Sequence, residues 1–289
     1  MLRPRQLKEY AVQLLYAFHM AGDESPEQVS GRFFELVLEP QREALYTPVA
    51  KWILAHSKSF QSKLDQIESQ LETTLPMIKV HDQDESLVKV ISQWKASATQ
   101  YAQHLKRLER NKSASNPEAK QKLHDITEQT LTHAKQSRIY YRQVEAELNN
   151  LPLVRSNFID FFSCFEHCDQ SLEKVLWITN LNQTLDDKQF QSIKKKHDAI
   201  FATKQQVEEL GFSVIAKKGE LDAKILPLIE NYTEERLDSI DYSILLLGAY
   251  ELTATSTERS HVLNDLIEIA KKYTTQNSSK FVNGVLDKL

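Results

Sequence analysis

The absence of glycine from a long central stretch most constrains how this chain can fold. Residues 32–210 contain no glycine, although tight turns between strands favour residues that tolerate a positive φ. Long helices with few connections suit such a stretch, and no alternating polar and apolar pattern exceeds a few residues. The central prolines lie near the ends of periodic segments, where helices stop: Pro40, Pro48, Pro76, Pro117 and Pro152. The sequence therefore predicts an all-α fold.

Apolar periodicity predicts a helical hairpin over residues 84–150. One segment has apolar residues alternately four and three positions apart, as in the seam of a coiled coil: Leu87, Ile91, Trp94, Ala98, Tyr101, Leu105 and Leu108. The turn-like sequence NKSASNPE follows, and then a second segment in which Thr130 and Ser137 occupy seam positions. We expect the two segments to pack antiparallel. If the seam of the first segment were exposed, it would predict a protein partner or a homodimer.

Composition limits the class of protein. With 41% hydrophobic and 26% charged residues the chain is typical of a globular protein, and its apolar runs fall short of the roughly 20 residues that span a bilayer. No signal peptide is evident and there are two cysteines, so we expect a cytoplasmic protein. The net charge of -4 argues against a long basic track, so any nucleic-acid contact should be a small local patch.

Sequence motifs for catalysis or metal binding are missing. There is no Gly-rich phosphate loop and no nucleophile motif, so we expect no enzyme and no cofactor. Cys164, His167 and Cys168 lie within five residues, but a structural zinc site needs four ligands. The two cysteines are better interpreted as small apolar residues on one helix face, and no metal site is predicted.

The two ends of the chain resemble the NusB family of transcription antitermination factors. RQLKEYAVQLLYAF (residues 5–18) is similar to the family's basic N-terminal helix. LDAKILPLIENYTEERLDSIDYSILLLGAYEL (residues 221–252), LNDLIEIAKKY (residues 263–273) and SKFVNGVLDK (residues 279–288) resemble three successive family motifs in the same order. The family is typically about half this length.

The resemblance implies a domain organisation. Residues 1–38 and 201–289 would form a discontinuous NusB-like helical bundle of two packed subdomains. Residues 39–200 would be a helical insertion that contains the coiled-coil-like hairpin. Glu251, Asn264, Asn283 and Asp287 are expected to be structural hydrogen-bonding groups near helix ends.

The resemblance also implies an RNA site at the two ends of the chain. Members of the family bind the boxA RNA element, and cations and aromatic rings suit that task by contacting phosphates and stacking on bases. The matching residues are Arg3, Arg5, Lys8, Tyr16, Asn277, Lys280 and Phe281. Asn277 stands where the family often has an acidic residue. An amide in place of a carboxylate removes a negative charge that would repel phosphate, so this difference should favour RNA. From spacing alone, a solvated N-terminal tail and ordinary core rings remain the alternatives.

Partners and function follow from the same resemblance. Glu235 and Asp241 match the region that faces NusE, the ribosomal protein that doubles as a transcription factor. The implied function is a non-enzymatic antitermination factor that binds boxA-like single-stranded RNA with NusE in the transcription elongation complex of ribosomal RNA operons. One alternative is a helical scaffold protein in which RNA binding has lapsed. The other is an accessory domain related to ribosomal RNA methyltransferases, which carry a Gly-rich cofactor turn that this sequence lacks.

Overall fold

The computed structural model describes residues 4–229 and 237–289, and these are almost entirely helical. The α-helices of this described part are α1 (Pro4–Ala21), α2 (Pro26–Val37), α3 (Glu39–His56), α4 (Phe60–Lys79), α5 (Ser86–Asn111), α6 (Pro117–Asn150), α7 (Pro152–Asn157), α8 (Ile159–Leu176), α9 (Lys188–Ala216), α10 (Lys218–Ile225), α11 (Ser239–Ala254), α12 (Arg259–Tyr273) and α13 (Gln276–Leu286). Short 3-10 turns follow α8 and α10. The described residues contain no strand, so the predicted all-α fold is confirmed.

The chain divides into two compact units. The terminal unit consists of Met1–Pro40 and Asp198–Leu289, and the middle unit is Gln41–His197. Each unit has its own cluster of buried apolar side chains. The sequence places the corresponding boundaries at 38/39 and 200/201, within three residues of those in the structure.

Helix α11 is the centre of the terminal unit. All of its residues from Asp241 to Ala249 are buried, as expected for a helix that is apolar on every side. Its amino end is capped by Asp238, whose side chain accepts a hydrogen bond of 3.0 Å from the Ile240 amide. α1, α10, α12 and α13 pack around it. This arrangement brings both ends of the chain onto one core helix.

The hairpin is the centre of the middle unit. α5 and α6 pack antiparallel, with Ser97 Oγ 2.8 Å from Ser137 Oγ and the rings of His104 and His133 4.6 Å apart. The predicted hairpin is confirmed. Polar residues fit in the seam because they bond locally: the Thr130 hydroxyl donates to the Ile126 carbonyl at 2.6 Å.

The coiled-coil seam of α5 is buried inside the middle unit. Every one of its seven residues is buried, and Trp94 packs on Phe165 of α8 with ring centroids 4.2 Å apart. The condition that would have predicted a partner or homodimer through this seam is therefore not met. α8 packs against both α4 and α6, which explains the aromatic residues of that segment.

Two details of the middle unit qualify the sequence-based predictions. Cys164 and Cys168 are buried among apolar residues, as predicted, and burial raises the pKa of the Cys168 thiol to about 12. The expectation that Pro48 ends a helix is wrong, because it lies within α3. Its carbonyl accepts a hydrogen bond of 3.3 Å from the Gln189 side chain. Tertiary packing can offset the cost of an interior proline.

No helix within residues 4–229 and 237–289 combines the length and apolar character needed to cross a membrane.

Two glycine substitutions in the terminal unit should change stability in opposite directions. A Cβ atom at Gly248 of α11 would lie 2.6 Å from Leu286 Cδ2 and 2.9 Å from Leu266 Cδ1, whereas one at Gly31 of α2 would contact nothing within 4 Å. We expect Gly248→Ala to lower the free energy of unfolding by about 1–3 kcal/mol through overpacking. Gly31→Ala should raise it by about 0.5–1 kcal/mol, since alanine favours the helix. Urea denaturation measures both, and equal effects would contradict the close packing at Gly248.

Candidate nucleic-acid interface

A buried ion cluster joins α1 to α11 and α12. The Lys8 side chain is only 5% exposed, and its Nζ lies 2.9 Å from Glu251 Oε2 and 3.3 Å from Asp265 Oδ2. Arg5 Nε donates to Asp265 Oδ1 at 3.1 Å. Burial raises the pKa of Glu251, and the hydrogen bond and charge of Lys8 lower it in part. The cluster holds the amino-terminal helix against residues near the other end of the chain.

A second polar cluster lies further along α1 and α12. The Glu9 carboxylate accepts hydrogen bonds from Lys272 Nζ and from the Tyr273 hydroxyl. Gln13 donates to the Tyr273 hydroxyl at 2.6 Å. Partial burial tends to raise the pKa of Glu9, but the bonds from Lys272 and Tyr273 outweigh it and the pKa is lowered. Later residues of α1 contact later residues of α12, so the two helices run parallel. α1 therefore continues towards Thr274 and Thr275, the α12–α13 break.

Helix α13 begins at a polar cap and presents the predicted RNA-binding residues. The Thr275 hydroxyl accepts a hydrogen bond of 3.2 Å from the Ser278 amide, which caps the amino end of α13. Asn277 and Lys280 are exposed, and Phe281 is half-buried against the core of the terminal unit. This arrangement offers an amide and a cation to solvent from the first two turns of one helix.

A groove between α12 and α13 joins Lys280 to a second cation. It has a volume of about 440 Å³ and is lined by Ile267, Lys271, Ser279, Lys280 and Asn283. Lys271 also forms an ion pair of 2.8 Å with Glu268 on the solvent side of α12. Two ammonium groups and an amide around an open groove are suited to phosphate oxygens.

The predicted RNA-binding residues differ in accessibility. Tyr16 is 39% exposed and lies one turn beyond Gln13 on α1, in the direction of the α12–α13 break. Arg5 is exposed but bonded to Asp265. The expectation that Lys8 belongs to a solvent-facing basic arm is wrong, because α1 begins at Pro4 and the Lys8 ammonium is enclosed by two carboxylates. Arg3 lies outside the described residues.

Of the two predicted partner-binding residues, the structure describes Asp241, and this residue is buried. Asp241 is 4% exposed, so the expectation that its side chain faces a partner is wrong. Burial raises its pKa, and the neighbouring Ser278 hydroxyl lowers it in part. The Asp241 carboxyl therefore lies close to the segment between α12 and α13. Glu235 lies outside the described residues.

Several functional contacts could not be read from the sequence. Lys271 and Lys272 are one lysine pair in the sequence, yet one lines the groove and the other bonds to Glu9. Their difference depends on which face of α12 meets α1.

Of the predicted structural polar residues, Glu251 bonds to Lys8 and the Asn283 side chain donates to Asp287 at 3.2 Å. The prediction is therefore confirmed for Glu251, Asn283 and Asp287.

Comparison with known proteins matches this part of the chain to a family. Residues 170–289 match the model of the NusB family. This segment carries a NusB-family domain. It includes α9 to α13, and therefore the groove and the α12–α13 break, and it begins within the last part of the middle unit. The resemblance of residues 5–18 lies outside the matched segment.

Several individual proteins similar to this chain are named transcription antitermination protein NusB. Transcription antitermination protein NusB of Macrococcus caseolyticus is 42% identical over 82 residues, which are 28% of this chain and 63% of the relative. The protein of that name from Pseudothermotoga lettingae is 53% identical over 70 residues, 24% of this chain and 50% of the relative. The protein of that name from Listeria welshimeri is 44% identical over 81 residues, which are 28% of this chain and 63% of the relative. The chain thus spans between half and 63% of the length of these relatives. No solved structure matches it.

Removal of the Lys8 ammonium should destabilise the terminal unit. Lys8→Met leaves two carboxylates without their shared cation, and loss of one partner of a buried pair costs about 3 kcal/mol. Lys280→Met, the same change at an exposed position, should stay within about 0.5 kcal/mol of the wild type. Chemical denaturation measures both. An unchanged stability in Lys8→Met would show that the cluster contributes nothing.

The destabilisation by Lys8→Met should depend on pH. The folded-state pKa of Glu251 is already raised by burial, and loss of Lys8 raises it further. A carboxyl with a raised folded pKa favours folding below its unfolded pKa, and this contribution is lost as the pH rises through the folded pKa. The difference in unfolding free energy between the variant and the wild type should therefore be smaller at about pH 5 than at about pH 8. An equal difference at both values would argue against a charged Glu251 as its cause.

Proposed function

We propose that this protein is a non-enzymatic, RNA-binding transcription antitermination factor that recognises a boxA-like single-stranded RNA. The single observation that carries the proposal is the NusB-family match of residues 170–289, whose relatives are named transcription antitermination proteins. The exposed amide and cations around the start of α13 support it.

The RNA site that we propose is centred on the α12–α13 break. Lys280 and Lys271 bind phosphate oxygens at the groove, and Asn277 supplies a neutral hydrogen-bonding group at the first turn of α13. Phe281 and Tyr16 offer ring faces on which unpaired bases stack. Arg5 adds a cation at the outer end of α1. Lys8 holds α1 in place and contributes to RNA binding through position.

The site that we propose has few free cations, so affinity has to come from assembly. The terminal unit contains 14 basic and 21 acidic residues, and a net negative unit repels a polyanion at long range. A second protein bound to the same RNA raises the effective local concentration and compensates for the weak contact. We propose the ribosomal protein NusE as that partner, within the transcription elongation complex of ribosomal RNA operons.

A titration tests the proposed function. Labelled boxA RNA and a scrambled RNA of equal composition are titrated with the full chain, alone and with NusE, over a series of salt concentrations. We expect preference for boxA and tighter binding with NusE. The absence of any preference in both arms would overturn the proposal and favour a helical scaffold with lapsed RNA binding.

Substitutions in α13 should weaken RNA binding without loss of fold. Lys280→Met should reduce affinity for boxA and make the logarithmic salt slope about 0.7 less steep, as expected for one phosphate contact of a single strand. Phe281→Leu keeps an apolar side chain against the core but loses stacking, which is worth about 1–3 kcal/mol per base. Fluorescence anisotropy measures both. Lys288→Met, an exposed lysine beyond the end of α13, is the control and should leave affinity nearly unchanged.

A further inference from the structure

Positive charge is concentrated in the middle unit. This unit has 22 basic and 19 acidic residues, a net charge of +3, whereas the terminal unit has a net charge of -7. A protein that binds RNA normally carries its basic excess where the phosphates lie. Here the excess lies outside the unit that contains the proposed boxA site.

The excess is concentrated at one end of the hairpin. Residues 103–122, which contain the end of α5, the turn and the start of α6, include six basic residues and two acidic ones. The net charge of +4 over these 20 residues exceeds that of the whole middle unit. We call this segment the hairpin end.

Four cations of the hairpin end form no ion pair with any residue that the structure describes. Lys112 pairs with Glu109 and Lys120 with Glu43. The other four are exposed and form no ion pair within the described part of the chain: Lys106, Arg107, Arg110 and Lys122. Glu109 and Glu43 are therefore already engaged by Lys112 and Lys120, and Glu118 is the one acid of the segment left to set against the four cations.

Helix geometry brings these cations together. Lys106 and Arg110 are four residues apart on α5, and Arg107 and Arg110 are three apart, so each pair is adjacent on the helix surface. Ser97 of α5 lies opposite Ser137 of α6, and the same antiparallel register places Lys122 of α6 beside the end of α5. Like charges at such spacings disfavour the helix by a few tenths of a kcal/mol. The helix dipole favours only Arg110, in the last turn.

The surface chemistry of the hairpin end suits phosphate and not a protein partner. Its leucines, Leu105 and Leu108, are buried in the seam, and none of the large exposed apolar side chains lies within residues 103–122. Protein interfaces are usually centred on buried aromatic or apolar residues, whereas phosphate contacts need only cations and polar groups. The segment also has no Phe, Tyr or Trp, so it offers no ring for base stacking.

We propose that the hairpin end binds the phosphate backbone of single-stranded RNA independently of base sequence. This inference rests on the proposed function, because it gives the middle unit a second contact with RNA that flanks the boxA-like element. The four unpaired cations would then displace counterions from the flanking strand and add affinity that the negative terminal unit cannot supply.

Two four-site variants of the full chain test the proposal. The first replaces Lys106, Arg107, Arg110 and Lys122 with glutamine. The second makes the same charge change at exposed lysines of the middle unit away from the hairpin end: Lys51, Lys58, Lys89 and Lys174. Circular dichroism and urea denaturation first verify that both fold. Each is then titrated with boxA RNA and with boxA RNA carrying an oligouridine extension of about 20 nucleotides, long enough for several phosphate contacts.

The wild type should bind the extended RNA more tightly and with a steeper salt slope than the short RNA. In the hairpin-end variant this gain should disappear, and the slope for the extended RNA should become about 2–3 less steep, at about 0.7 per lost phosphate contact. The second variant should keep most of the gain. The same pattern is expected for a scrambled RNA with the same extension.

Three outcomes would overturn the inference: no gain from the extension in the wild type, an unchanged gain in the hairpin-end variant, or an equal loss in both variants. Failure of the proposed function has a different signature. In that case the short boxA and scrambled RNAs bind alike, whatever the extension does.

Discussion

The structure of the terminal unit depends on the pairing of the Lys8 ammonium with Glu251 and Asp265. A buried cation costs several kcal/mol unless carboxylates surround it, so α1 has to lie where α11 and α12 present theirs. Once Lys8 is placed, Glu9 and Gln13 reach Lys272 and Tyr273. The direction of α1 along α12 follows from these contacts, and so does the approach of Tyr16 to the break before α13.

The same ion cluster limits the cations that the proposed RNA site can use. Lys8 and Arg5 stand in the helix that resembles the family's basic arm, but both are engaged by Asp265. The cations left at the surface of α12 and α13 are few, and the terminal unit is negative as a whole. A weak local site of this kind requires additional contacts. In the function that we propose, a partner protein and the positive end of the α5–α6 hairpin are two independent sources of them.

The α5–α6 hairpin shows which buried residues the apolar periodicity of the sequence can predict. Seven residues at alternating spacings of four and three predict the buried face of α5, because an exposed apolar stripe of that length would be costly in water. The pattern is weaker in α6, where Thr130 and Ser137 occupy seam positions. The Thr130 hydroxyl bonds to the Ile126 carbonyl within α6, whereas the Ser137 hydroxyl bonds to Ser97 of α5, so the second contact depends on the partner helix. Pro48 shows the converse, since a local helix-ending signal yields to the packing around α3.

The sequence by itself determined the helical class, the hairpin and the presence of NusB-like motifs at the carboxyl end. Each of these depends on local pattern, in which the burial of one face repeats every three or four residues. Only the tertiary structure decided which polar residues face solvent. Lys8 and Asp241 are buried and Lys280 is exposed, although all three are ordinary charged residues within helices. The reason is that a charge is accommodated inside a protein only by groups brought to it from distant parts of the chain, and no local pattern records where those groups will lie.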